Sequence, residues 1–295
     1  MRTRMAITQD EELIFKPLTP SIGAEVQGVD LTVEIDDVQF QRILDAWISW
    51  GVLIFRDQAL DLEQHVALGR RFGELYSHIL PDAKTPPGYP EVIELHTDAH
   101  SERAGGESWH TDVSADEEPP MASILHITET PDTGGDTLFA SMNAVYDDLS
   151  GPMKSFLSGL TATHRASRGY NAVHDRNQPQ GPSTVPLGGW EFPDSHHPVI
   201  RTHPVTGRHS VYVNTIYTSH IDELAPDESD SILAVLLERI HNPRYQCRVQ
   251  WRKNTVVLWD NRCVQHHAVW DYFPKLRHGN RVTIKGDRPF FSPPA

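Results

Sequence analysis

In the stretch Trp109-His110-Thr111-Asp112-Val113 an imidazole and a carboxylate stand two residues apart. If the stretch is a strand, its side chains alternate, so His110 and Asp112 point to one face and Thr111 to the other. Together they would supply two-thirds of a 2-His-1-carboxylate facial triad, the ligand set that holds non-haem Fe(II) and leaves coordination positions open. The third ligand must be a histidine further on, and the candidate is His266. It lies in Trp259-Asp260-Asn261-Arg262-Cys263-Val264-Gln265-His266-His267, after an apolar strand and so where a buried strand runs out towards a cavity. Arg277 and Arg281 follow it. Each guanidinium can clamp a carboxylate, sulfonate or sulfate through paired N–H bonds. Blander readings stand beside these. With 17 histidines, a His-x-Asp pair can arise by chance on a surface strand, and arginines in an acidic chain find surface ion-pair partners.

The elements that would position these residues are legible as periodicities. Glu12–Phe15 and Ala24–Gly28 read as short strands. Asp37 caps a predicted helix whose apolar stripe is Phe40, Ile43, Leu44, Trp47 and Ile48, ended by Gly51. Val52–Phe55 reads as a buried strand. Asp61 followed by Gln64 is a capping-box start for a second helix ending near Phe72-Gly73. Further strands are expected at Glu91–Leu95, Trp109–Val113 and Met121–Thr128. Asp136–Met142 is expected to pair with the last of these across the turn Pro131–Gly135. Short helices are predicted at Ala144–Leu149 and Pro152–Leu160. A hairpin joins Val199–His203 to His209–Asn214, and Pro226 opens a helix carrying Ile232, Leu233, Leu236, Leu237 and Ile240. Tyr245–Trp251, Thr255–Trp259 and Arg281–Lys285 complete the strands, the last able to pair with the strand before His266.

Many short strands with helices at the N-terminal part and one later insertion predict a mainly β protein with helical decoration. A double-sheet jelly roll is the natural form, because it can hold a ligand between its sheets. The 295 residues are taken as a single domain. The aperiodic segment at about 164–197, rich in Pro, Gly, Asn and Gln, is a lid-like insertion.

Composition narrows the function classes. The hydrophobic content of 38% is that of a soluble globular protein, and no apolar run is long enough to cross a bilayer. Two cysteines, Cys247 and Cys263, build no disulfide framework, and the N-terminus has no apolar signal-peptide core, so a cytoplasmic location is expected. A net charge of −14 argues against nucleic acid as partner. It leaves open a small anionic organic substrate, since clustered arginines can reverse the field inside one pocket.

The chain resembles the Fe(II)/2-oxoglutarate-dependent dioxygenases of the taurine dioxygenase group, which also includes phenoxyacetate and alkylsulfate dioxygenases. The matching pieces are Ser21-Ile22-Gly23-Ala24, Arg71-Phe72-Gly73-Glu74-Leu75, Trp109-His110-Thr111-Asp112, Gly134-Gly135-Asp136-Thr137, Arg201 through Gly207, Trp259-Asp260-Asn261-Arg262 with Gln265-His266, and Arg277 with Arg281. They occur in the family's order across nearly the whole chain. The resemblance implies a double-stranded β-helix, a jelly-roll variant, with iron at its open end. His110, Asp112 and His266 are implied as catalytic iron ligands. Arg277 would pair with the distal carboxylate of 2-oxoglutarate, and the Thr137 hydroxyl would bond a cosubstrate carboxylate. Arg281 would contact the substrate anion and touch the cosubstrate. His78 matches a histidine that binds the substrate sulfonate, and Tyr170 and Tyr217 could wall the pocket.

The implied reaction consumes 2-oxoglutarate and O2, releases succinate and CO2, and hydroxylates a sulfonate, alkyl sulfate, phenoxy acid or related carboxylate. Three departures matter. Gly106 stands where taurine dioxygenase has an asparagine, Pro81 where it has a tyrosine, and His267 where it has another tyrosine. The anion-binding end is retained and the amine-recognising end is not, so taurine itself is not the expected substrate. A homo-oligomer is also implied by resemblance alone. Two rival readings use the same residues: a jelly-roll sensor that binds metal and 2-oxoglutarate without turnover, and a zinc hydrolase. The hydrolase would not need Arg277 beside the metal.

Overall fold

The computed structural model describes residues 12–76, 84–102, 104–166, 168 and 193–293. The chain is mainly sheet with helices added. Among the described residues its large sheet has seven strands: β1 (Ile14–Pro17), β2 (Ala24–Gln27), β3 (Val52–Phe55), β4 (Val92–Thr97), β5 (Ala122–Glu129), β13 (Thr255–Asp260) and β15 (Arg277–Ile284). Their spatial order is β1-β2-β3-β13-β5-β15-β4. A smaller sheet sets β6 (Thr137–Ser141) between β12 (Gln246–Val249) and β14 (Val264–Ala268).

Alternation decides what fills the space on each side. On β13, Val257 and Trp259 face the small sheet and pack with Phe139, Val249 and Val264. Val256 and Leu258 face the other way, under two helices. Those helices are α1 (Asp37–Trp50) and α2 (Leu62–Phe72). The α1 stripe presents Ile43 and Trp47 to the sheet. Its cap is Asp36 rather than the expected Asp37; the Asp36 carboxylate accepts the Gln39 N–H at 2.8 Å. Gly51 closes α1 at φ 70°, where a side chain would be strained. The α2 capping box forms as expected, with Asp61 and Gln64 bonded reciprocally at 2.8 Å.

Behind the small sheet lies a third apolar layer. It takes Met142 and Val145 from α3 (Met142–Asp147), Leu157 from α4 (Gly151–Leu157), and Leu233 and Leu236 from α5 (Pro226–Arg239). The strands β7 (Thr161–His164), β8 (Ser195–Pro198) and β11 (Thr218–Ile221) form a three-stranded sheet, and β9 (Ile200–Thr202) pairs with β10 (His209–Val211) as the expected hairpin. Most of the predicted lid, residues 167 and 169–192, lies outside the described residues; Ser195–His197 of that span are strand.

Three expectations about strands are corrected. The Trp109–Val113 stretch is not a strand. His110 makes an isolated two-bond bridge to His266, after which the chain turns, with Val113 at φ 49°. The β5 and β6 strands do not pair with each other across Pro131–Gly135. β5 pairs with β13 and β15, and β6 crosses to the other sheet. The C-terminal strand begins at Arg277 and pairs with β4 and β5, not with the strand before His266.

Candidate active site

The two sheets diverge around a cavity of about 350 Å³. His110 enters it from the bridge, Asp112 from the turn beyond, and His266 from β14. The backbone bonds His110 N–H to His266 O at 3.1 Å and His266 N–H to His110 O at 2.8 Å hold the two histidines abreast. Their rings stand 4.1 Å apart, and Asp112 Oδ1 lies 4.0 Å from His110 Nε2 and 3.9 Å from His266 Nε2. The turn after His110, not strand alternation, brings the carboxylate back beside the imidazole.

The donor set suits a divalent cation. The His110 Nδ1 lies 2.7 Å from the Ser108 carbonyl, so that nitrogen carries the proton and Nε2 keeps its lone pair for the cavity. Burial, more than any neighbour, pushes His110 below the ordinary imidazole range and His266 well below it. Burial would raise Asp112, but the Arg281 guanidinium and the two imidazoles outweigh it and hold the carboxyl well below the usual range. At neutral pH the three groups are therefore two neutral nitrogens and one carboxylate, the protonation states that bind metal.

Asp112 is held from behind by a relay. Its Oδ2 accepts the Ser123 hydroxyl at 2.7 Å, Ser123 Oγ accepts Asn261 Nδ2 at 3.1 Å, and Asn261 Oδ1 accepts the Trp259 indole N–H at 2.9 Å. The adjacent Asp260 is gripped by Arg262 at 2.7 and 2.8 Å and by His203 at 3.0 Å, all buried. The Trp259–Arg262 motif thus braces the turn that leads into β14. Ser123 was not singled out in the sequence. Its signal in the sequence was a small hydroxyl near the start of a largely apolar strand.

β15 contributes two arginines to the cavity wall. Arg277 borders the cavity, with its guanidinium 5.4 Å from the centre of the Trp251 ring. Its Nε is buried without a hydrogen-bond partner, and among the described residues no carboxylate reaches ion-pair distance of it. Thr137 Oγ1 accepts the Trp251 indole N–H at 3.0 Å, which leaves the Thr137 hydroxyl proton free to donate. Trp251 and Tyr272, which bonds Thr97 at 2.6 Å, both line the cavity beside Arg277; neither was assigned a role from sequence. Arg281 also lines the cavity and donates to Asp112 at 2.7 Å. A half-buried cation with an unpartnered, buried Nε, lining the same cavity as a hydroxyl donor, fits a dicarboxylate.

Tyr217 lines the same cavity. His78, Tyr170 and Pro81 lie outside the described residues. Gly106 has φ 84°, and a Cβ there would stand 3.2 Å from His110 Cε1, so a larger residue would press on the ring. His267 points away from the cavity, towards Trp109 at 5.6 Å between ring centres.

The pattern of the taurine catabolism dioxygenase TauD, TfdA family matches residues 14–283. An alpha-ketoglutarate-dependent sulfonate dioxygenase of Saccharomyces cerevisiae is 34% identical, covering 94% of this chain and 68% of that protein. An alpha-ketoglutarate-dependent sulfate ester dioxygenase of Pseudomonas putida is 31% identical, covering 94% and 91%. The crystal structure of a taurine dioxygenase from Burkholderia xenovorans superposes with a TM-score of 0.79 at 34% identity, covering 94% of this chain and 92% of that one. The chain belongs to the taurine catabolism dioxygenase TauD, TfdA family and is a 2-oxoglutarate-dependent dioxygenase.

Proposed function

We propose that this protein hydroxylates a small anionic organic acid: a sulfonate, an alkyl sulfate, a phenoxy acid or a related carboxylate. The observation that carries the reading is the convergence of His110, Asp112 and His266 in one cavity with Arg277 and Arg281. His110, Asp112 and His266 would hold Fe(II). Iron bound there would supply dioxygen activation coupled to decarboxylation of 2-oxoglutarate.

The chain's own side chains do the positioning. Arg277 takes the distal carboxylate of 2-oxoglutarate through its guanidinium fork, and the Thr137 hydroxyl donates to a carboxylate oxygen. Arg281 meets the substrate anion and so sets which carbon faces the metal, while Tyr217 walls the apolar side. The relatives named for sulfonates and sulfate esters support an anion clamp of this kind. We take the architecture as a double-stranded β-helix built as one domain and working in the cytoplasm. Its two sheets enclosing a cavity and its free, buried cysteines agree with that.

The test is substrate-stimulated succinate formation across a panel of sulfonates, alkyl sulfates, phenoxy acids and carboxylates. At least one class should raise succinate release well above the substrate-free rate. Anaerobic Fe(II) with 2-oxoglutarate should give a weak visible charge-transfer band. No stimulation by any acid, together with no band, would overturn the reading.

A further inference from the structure

A second group of metal-ligating side chains bridges the edge of the large sheet. Glu94 and His96 on β4 and His278 on β15 each offer a ligand atom, all within 4.8 Å of one another. Strand register brings them together. His96 sits directly opposite His278, and Glu94 is two residues along the same strand. Alternate residues share a face, so Glu94, His96 and His278 stand together on one face of the β4–β15 pair. Arg277 and Arg281 are of the opposite parity and project towards the cavity. Glu94 and His96 also border that cavity, so the cluster stands at its rim, on the edge of the sheet. His96 is exposed and the other two are half-buried, so solvent ions reach them.

The spacing is that of a shared ion. His96 Nδ1 and His278 Nδ1 are 3.3 Å apart, and His278 Nδ1 is 3.7 Å from Glu94 Oε1. In a tetrahedral site with bonds of about 2.0–2.2 Å, neighbouring ligand atoms stand roughly 3.3–3.6 Å apart. The far nitrogen of His96, Nε2, lies 3.4 Å from Asp98 Oδ2. A carboxylate behind a ligating imidazole orients the ring and raises its basicity, and it recurs in protein metal sites.

We propose that Glu94, His96 and His278 form a three-ligand site for a borderline divalent transition metal of the zinc class, with solvent in the fourth position and Asp98 as the orienting carboxylate. The bound ion ties the edge strand β4 to β15 at the residue next to Arg277. This site stands independently of the proposed reaction, because it shares no ligand with His110, Asp112 and His266.

Equilibrium dialysis against Zn(II), with bound metal counted per chain, tests it. The wild-type protein should bind two equivalents. His96→Ala and His278→Ala should each bind one, and Asp98→Asn should bind two with the weaker affinity lowered roughly 10- to 100-fold. His266→Ala should lose the other equivalent and keep this one, which separates failure here from failure of the catalytic reading. Thermal unfolding in EDTA, unchanged between His96→Ala and wild type, shows the variant is folded; if it is not, Glu94→Gln takes its place and should likewise lose or weaken the second equivalent. Equal stoichiometry and affinity in the wild type and in a folded His96 or Glu94 variant would mean that the two imidazoles only hydrogen-bond each other, and would overturn the proposal.

Discussion

Arg281 Nη1 lies 2.7 Å from Asp112 Oδ1, the same carboxylate oxygen that faces both His110 and His266. One guanidinium therefore touches the candidate metal ligand and borders the space a substrate anion would occupy. This links β15 to the turn after His110, two elements 169 residues apart in the chain.

Replacing Arg281 with Met removes the proposed anion clamp but none of the three candidate metal-ligating atoms. A hydrogen bond to a charged group contributes about 1.5–3 kcal/mol, so KM for the organic acid should rise roughly 10- to 150-fold. Arg281→Lys keeps the charge without the fork and should recover only part of the loss. Steady-state kinetics with saturating 2-oxoglutarate and Fe(II) measure this.

Arg277 is a half-buried cation with a buried Nε, and desolvation, the largest influence on it, lowers it from the ordinary guanidinium range. Arg277→Leu should raise KM for 2-oxoglutarate on the order of 100-fold, read from succinate formation against cosubstrate concentration. Trp251→Phe keeps a ring beside Arg277 but loses the N–H to Thr137. Loss of about 1 kcal/mol there predicts roughly a fivefold rise.

The relay Trp259–Asn261–Ser123–Asp112 predicts a split between two readouts. Ser123→Ala should weaken Fe(II) binding on the order of 10- to 100-fold, because the carboxylate loses its orienting donor. Asn261→Ala should do the same and also leave the buried Trp259 N–H without an acceptor. That adds about 1–3 kcal/mol of destabilisation, measurable by denaturant unfolding of the metal-free protein.

His65, on the buried face of α2, gives a pH prediction. Burial first, and the facing His126 second, lower it from 6.5 to about 3. Between those values the unfolded chain takes up a proton that the native chain refuses. Stability should therefore fall as pH drops below about 6.5, by roughly 1.4 kcal/mol per pH unit from this residue, until about pH 3. Unfolding free energy measured between pH 4 and 7 should show a slope shallower by about one proton in His65→Gln.

Local features were legible because their causes are local. The Asp61–Gln64 box starts α2, the Phe40–Ile48 stripe marks α1, and the apolar run Val52–Phe55 is a strand buried on both faces. His110 and Asp112 were legible from their spacing, and His266, Arg277 and Arg281 from the family resemblance; the structure places all five around one cavity.

What the sequence alone determined, then, was the inventory of groups and most of the elements that carry them. Tertiary structure alone decided how they meet. Pairing of β6 with β14 rather than β5 depends on which faces must be covered, a property of the assembled layers. The return of Asp112 beside His110 depends on a turn at Val113 that extended-strand alternation does not foresee. Ser123 became a partner of Asp112 only when β5 lay beside β13, because a hydroxyl among apolar residues has no assigned acceptor until a distant carboxylate is packed against it.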